Sequence, residues 1–140
     1  MEKEEKRKIM IENYQNAYHH GLCNDENLKV LTLNSKTCID SISMQLIIED
    51  NKVKDAYFDG EACAICTSAT SLLLKRIKGK TKDEIKKILK NYHCLIEGEK
   101  CNQDVLGTLM VYDDIHLQPG RKECALLPAH LILKYLNEQK

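Results

Sequence analysis

The chain has no surplus of either charge. Lys and Arg number 21, Asp and Glu number 21, and the formal net charge over 140 residues is zero. Nucleic-acid binding depends on an excess of Lys and Arg to neutralise phosphates, so the balance argues against a nucleic-acid partner. No apolar run approaches the ~20 residues that cross a bilayer, so no membrane partner is expected. The opening MEKEEKRKIMIEN alternates charges and lacks the apolar h-region of a secretory signal, which makes a cytoplasmic location the expectation. Internal repeats and low-complexity tracts are absent, and there are only 2 prolines. At roughly 100–200 residues per domain, residues 1–140 form a single domain. A chain of this size buries roughly two-thirds of its unfolded surface and needs no staples.

Cysteine is what the chain does hold, with 7 residues. The count is odd and the expected compartment is reducing, so a disulfide framework is not expected. Metal binding, sulfur chemistry and small buried hydrophobes are the alternatives.

Residues 3–20 read as an amphipathic helix, with Ile9, Met10, Tyr14, Ala17 and Tyr18 on one face and Gly21 as its stop. Residues 28–33 are a short strand candidate, followed by a turn at Asn34-Ser35-Lys36-Thr37. Ile42, Met44, Leu46 and Ile48 then alternate with Ser41, Ser43 and Gln45, giving a strand with one polar face. Glu49-Asp50-Asn51-Lys52 predicts a hairpin turn, and residues 53–58 return as the partner strand. From Ile65 the period becomes helical through Ala69, Leu72, Leu73 and Ile77, with Gly79 as the end. Thr81 and Glu84 predict a capping box for a helix with Ile85, Ile88 and Leu89 on its apolar stripe. Residues 91–102 read as loop, and Val105, Leu106, Leu109 and Met110 as a short helix. Pro119-Gly120 is expected to break the chain. Residues 124–137 form the last helix, and because Pro128 suits only a first turn, the start is placed near residues 122–125.

Three cysteines fall where a site can be built. Cys38 precedes the second strand, and Asp40, two residues on, faces the same way. Cys63 follows the third strand at a helix start, and a hairpin sets these two ends side by side. Cys124 lies at the expected start of the last helix, and a helix N-terminus favours thiolate over thiol. Three thiolates and one carboxylate suit tetrahedral Zn²⁺ or the irons of a cluster. The harder oxygen leaves one displaceable bond, unlike a closed structural site.

These residues also carry a resemblance. Cys38-Ile39-Asp40, the stretch Phe58-Asp59-Gly60-Glu61-Ala62-Cys63-Ala64-Ile65-Cys66-Thr67-Ser68-Ala69-Thr70-Ser71, and Arg121-Lys122-Glu123-Cys124-Ala125-Leu126-Leu127 resemble the NifU/IscU-type iron–sulfur scaffold family, over about residues 5–136. Cys63 and Cys124 lie 61 positions apart, and the helix of residues 79–89 and Arg121 are similar to the SufU branch. The resemblance implies an α+β fold with a three-stranded antiparallel sheet packed against helices. It implies a role in iron–sulfur cluster assembly as partner of a cysteine desulfurase of the SufS type, with a downstream Fe–S scaffold or apo-proteins as acceptors. It implies Cys38, Asp40, Cys63 and Cys124 as zinc ligands, Cys38 as persulfide acceptor, and Arg121 steadying the anionic site. The alternative is a scaffold that assembles and transfers a 2Fe–2S cluster on the same four groups. Sulfurtransferase activity and non-catalytic scaffolding both remain open.

The chain departs from the family text at several positions. Ala62 replaces a glycine, Cys66 a serine, and Glu123 a residue that is often basic. Pro128-Ala129-His130 replaces a commonly aromatic position, and the Leu-Pro-Pro-Val-Lys chaperone-docking segment is absent. Cys66 is expected to pack on its helix. His93-Cys94 mimics a ligand pair at the wrong spacing, and both are expected in a loop, with Cys23 and Cys101 likewise outside the site. His19, His20, His116 and His130 are expected at the surface or in satisfied core positions.

Overall fold

The computed structural model describes residues 1–36 and 39–138. Strands β1 (Leu31–Asn34), β2 (Ser41–Glu49) and β3 (Lys52–Glu61) pair antiparallel in the order β1–β2–β3. The β2–β3 turn is two residues long, and both central residues, Asp50 at φ 53° and Asn51 at φ 64°, are left-handed. That geometry matches the twist of a hairpin, and Asp and Asn tolerate it best among non-glycine residues. Ile42, Met44 and Leu46 of β2 are buried, as the alternation predicts, whereas Ile48 is half-buried beyond a register shift at Ile47/Ile48; Val53, Ala56 and Phe58 of β3 are buried beside them. The opposite face is partly covered: Gln45 is buried and its amide exchanges two hydrogen bonds with the Cys23 backbone, at 2.8 and 3.1 Å.

Helix α1 (Lys3–Gln15) ends earlier than the spacing predicts. The chain turns away because residues 19–21 pair with β3. The His19 carbonyl accepts from the Phe58 N–H, and the Gly21 N–H donates to the Phe58 carbonyl. Sheet pairing here overrides helical periodicity. Asn13 fastens α1 to the next helix by accepting from Ser71 Oγ at 2.8 Å and Lys75 Nζ at 2.7 Å.

Helix α2 (Ala64–Ile77) runs through the centre of the molecule and is buried almost throughout. Its buried hydroxyls find partners, as burial requires. Thr70 donates to the Cys66 carbonyl, and Ser68 bonds the Ile65 carbonyl and the Tyr112 hydroxyl. Helix α3 (Lys82–Glu97) opens on the expected Thr81–Glu84 capping box. It extends well into the predicted loop because Tyr92, Leu95 and Ile96 continue the stripe of Ile85, Ile88 and Leu89 into the core. Gly98 ends it at φ 78°, where a Cβ would lie 2.9 Å from the His116 ring.

After α4 (Gln103–Leu106) come two 3₁₀ segments, Gly107–Tyr112 and Ile115–Leu117. Helix α5 (Pro119–Glu138) corrects the sequence expectation twice. Pro119 does not break the chain but opens the helix, where its missing N–H has no intrahelical role. Pro128 lies inside the helix, although it cannot donate to the Cys124 carbonyl and an interior proline costs about 3 kcal/mol. Burial of Ala125–Ala129, Leu131, Ile132, Tyr135 and Leu136 offsets that cost, and Tyr92 Oη donates to the neighbouring Ala125 carbonyl at 2.7 Å. The architecture is the expected α+β arrangement, one sheet packed against helices. No helix among the described residues is long and apolar enough to cross a membrane.

Candidate metal centre

Three of the four expected ligands converge. One ligand atom each from Asp40, Cys63 and Cys124 lie within 4.8 Å of one another. Ligands of a tetrahedral zinc sit ~3.3–3.8 Å apart, so small side-chain adjustments suffice. Cys38, the fourth, lies outside the described residues.

Each ligand comes from a different element. Asp40 sits at the entrance to β2 and is 4% exposed. Its Oδ1 accepts the Cys63 N–H at 3.0 Å, while its Oδ2 is buried with no hydrogen-bond partner among the described residues. A buried carboxylate oxygen without a partner is costly, and a cation beside it would remove that cost. The donor set therefore fits a metal ion.

Cys63 is the N-cap of α2, and its Sγ accepts the Cys66 N–H at 3.5 Å. The helix terminus thus supplies both its partial positive charge and a donor to this sulfur. Gly60 makes the approach feasible. At φ 149° it lies so close to β2 that a Cβ would stand 2.0 Å from the Ser41 carbonyl oxygen. The Ala62 departure is harmless, since Ala62 is not among the residues at positive φ.

Cys124 is half-buried and is the sixth residue of α5, not its first. Dipole effects fade within the first turn, so the expected helix-start position holds for Cys63 and fails for Cys124. The cleft around the three ligands has a volume of ≈ 730 Å³ and is also lined by Tyr14, His20, Ile39 and Thr67. Ile39 stands out into solvent at the rim, 92% exposed.

Other candidates separate cleanly. Arg121 is exposed in the first turn of α5 and lines a neighbouring groove with Arg7, Ser68 and Gln118; Tyr14 is shared by that groove and the ligand cleft. Cys66 is fully buried in the core and reaches the site through its backbone N–H. His93 and Cys94 lie on α3 rather than in a loop, and line a separate groove with His130. Burial and the nearby His93 hold the His130 imidazole below its ordinary range. His116 packs against Gly98, and His19 bonds Asp55 at 3.2 Å.

His20 is the cleft residue that sequence reasoning missed. Its ring stacks on Phe58 at 5.0 Å and its Nε2 lies 3.5 Å from Asp59. The pairing of residues 19–21 with β3 puts it there, and no local spacing announces that pairing. In the sequence Glu123 shows only as a departure from the family text. Its Oε1 accepts from Ser35 Oγ at 2.9 Å and from the Lys36 N–H at 2.6 Å.

The model of the NifU-like N terminal domain matches residues 4–124. The zinc-dependent sulfurtransferase SufU of Bacillus subtilis is 28% identical over 122 residues, covering 86% of this chain and 82% of the relative. The iron–sulfur cluster assembly scaffold protein IscU of Thermotoga maritima is 34% identical over 91 residues, 65% of this chain and 64% of the relative. The crystal structure of FiSufU from Fervidobacterium islandicum AW-1 superposes with a TM-score of 0.84 at 26% identity, covering 91% of this chain and 93% of that one.

Proposed function

This chain belongs to the NifU-like N terminal domain family, and from that premise we propose that it is a zinc-dependent sulfurtransferase of iron–sulfur cluster assembly. Its partner in this reading is a cysteine desulfurase of the SufS type, and it passes sulfur on to a downstream Fe–S scaffold or apo-proteins in the cytoplasm. The observation that carries the reading is the convergence of an Asp40 carboxylate oxygen with the Cys63 and Cys124 sulfurs within 4.8 Å, with Asp40 Oδ2 buried and without a hydrogen-bond partner among the described residues.

Cys38, Asp40, Cys63 and Cys124 would hold the ion. Bound zinc keeps thiols deprotonated at neutral pH, which is the state sulfur transfer needs. Cys38 is the acceptor. Its thiolate attacks the terminal sulfur of the desulfurase persulfide and forms a new S–S bond. The S–S bond on the desulfurase breaks, and that cysteine leaves as a thiolate. The exchange consumes no oxidant or reductant. Asp40 supplies the hard oxygen donor, and the Cys63 sulfur sits at the α2 N-terminus, where it accepts the Cys66 N–H. Arg121, one turn before Cys124 on α5, adds positive potential beside the anionic site.

The IscU-named relative favours a second reading, a scaffold for a 2Fe–2S cluster. Metal content and absorption of protein purified without air separate the two. A colourless chain with one zinc supports the sulfurtransferase; a red-brown chain with iron and acid-labile sulfide supports the scaffold. Cys38→Ser is expected to abolish stimulation of a cysteine desulfurase. Undiminished stimulation would contradict the acceptor role.

A further inference from the structure

Glu123 stands one residue before a proposed ligand, yet its carboxylate is turned to the segment that leads to another. Its Oε1 accepts both the Ser35 hydroxyl at 2.9 Å and the Lys36 backbone N–H at 2.6 Å. Ser35 in turn donates its backbone N–H to the Asp40 carbonyl at 2.8 Å. Asp40 then accepts the Cys63 N–H through Oδ1 at 3.0 Å. The result is an unbroken hydrogen-bonded path from α5, beside Cys124, through the β1–β2 connection to Asp40, and on to the N-cap of α2 at Cys63.

From this path we infer that Glu123 is a positioning residue: it ties the Asp40-bearing connection to the helix that carries Cys124 and so presets the spacing of the metal ligands. The inference rests on the sulfurtransferase reading only in taking these residues as ligands of a zinc ion. The physical logic is that of outer-shell partners generally. A ligand held in place before the ion arrives loses little freedom on binding, and removing such a partner typically weakens metal affinity ~10–100-fold. Two features make Glu123 suited to the task. One oxygen receives two donors, so a single side chain arrests both a hydroxyl and a backbone amide. The acceptor is also a carboxylate, which strengthens hydrogen bonds to it, and the Lys36 N–H bond is short at 2.6 Å. A basic side chain at this position could accept neither donor, so the family departure at residue 123 has a structural role in this chain.

The test is zinc affinity of the full chain, by competition with a chromophoric chelator at fixed pH, together with the visible spectrum of the Co²⁺-substituted protein. Glu123→Ala is expected to weaken zinc ~10–100-fold and to alter the cobalt bands. Glu123→Gln keeps an oxygen acceptor in the same place and should stay within about threefold of the parent, with the parent's cobalt spectrum. Ser35→Ala removes one of the two donors and should fall between them, which keeps the test open if Glu123→Ala fails to fold. Unchanged affinity and spectrum in both alanine variants overturn the inference while leaving the sulfurtransferase reading intact. Equal losses for Gln and Ala overturn it too, because charge rather than anchoring would then be responsible. A parent chain that binds no zinc overturns the underlying reading, and the inference with it.

Discussion

At residue 60 a hydrogen atom in place of a side chain decides whether the metal cleft can form. A Cβ there would meet the Ser41 carbonyl oxygen at 2.0 Å, with φ at 149°, so nothing larger fits without moving β3 off β2. The three residues that follow deliver Cys63. Gly60→Ala is therefore expected to lower stability by roughly 1–3 kcal/mol and to weaken zinc binding. Urea unfolding and chelator competition on the same variant check both effects, and a variant matching the parent in both would refute the argument. Asp40 makes the complementary point. Its two oxygens differ, one accepting the Cys63 N–H and the other buried without a hydrogen-bond partner among the described residues.

Among the elements, the site draws on β2, α2 and α5, whereas α3 serves the core alone. Helix α3 is held at its start by Thr81 and Glu84, which satisfy each other's N–H groups at 3.2 and 3.0 Å. Thr81→Ala removes that reciprocal cap and should cost about 1 kcal/mol of folding free energy. Because α3 supplies no ligand, zinc affinity should stay at the parent value, and a matched pair of unfolding and metal-competition curves tests this separation. Helix α5 shows the opposite economy. It supplies Cys124 and Glu123 near its start and then buries a long apolar stretch through Pro128, with Tyr92 of α3 bonding the Ala125 carbonyl. Packing thus tolerates a residue that propensity alone would exclude from a helix interior.

For the whole molecule, a metal that binds only the folded chain must add to its stability. Unfolding separates residues 40, 63 and 124, so zinc at 100 times its dissociation constant should stabilise the fold by about 2.7 kcal/mol. For a chain of this size that corresponds to roughly a 10 °C rise in melting temperature. Cys63→Ser should abolish most of the rise, and a chelator should reverse it in the parent. A melting temperature indifferent to zinc would mean that the three groups do not share an ion.

Local pattern was enough for the three-stranded meander, the Asp50-Asn51 turn, the Thr81 cap and the helix that begins at Cys63. Each of these depends on neighbours within a few residues, where alternation, turn chemistry and capping act directly. The family text in residues 38–40, 58–71 and 121–127 likewise points to Asp40, Cys63 and Cys124 before any contact between them is seen. Local pattern failed where distant segments meet. Helix α1 stops short because residues 19–21 pair with β3, and that pairing also brings His20 into the cleft. Helix α3 outruns its expected end because the core accepts Tyr92, Leu95 and Ile96. Helix α5 begins at Pro119 and passes through Pro128 because burial outweighs one missing hydrogen bond. Glu123, legible only as a substitution in the sequence, gains its partners when α5 meets the β1–β2 connection. Short-range physics is written in order along the chain, whereas the path from Glu123 to Cys63 joins groups up to 88 residues apart and exists only once the chain has closed on itself.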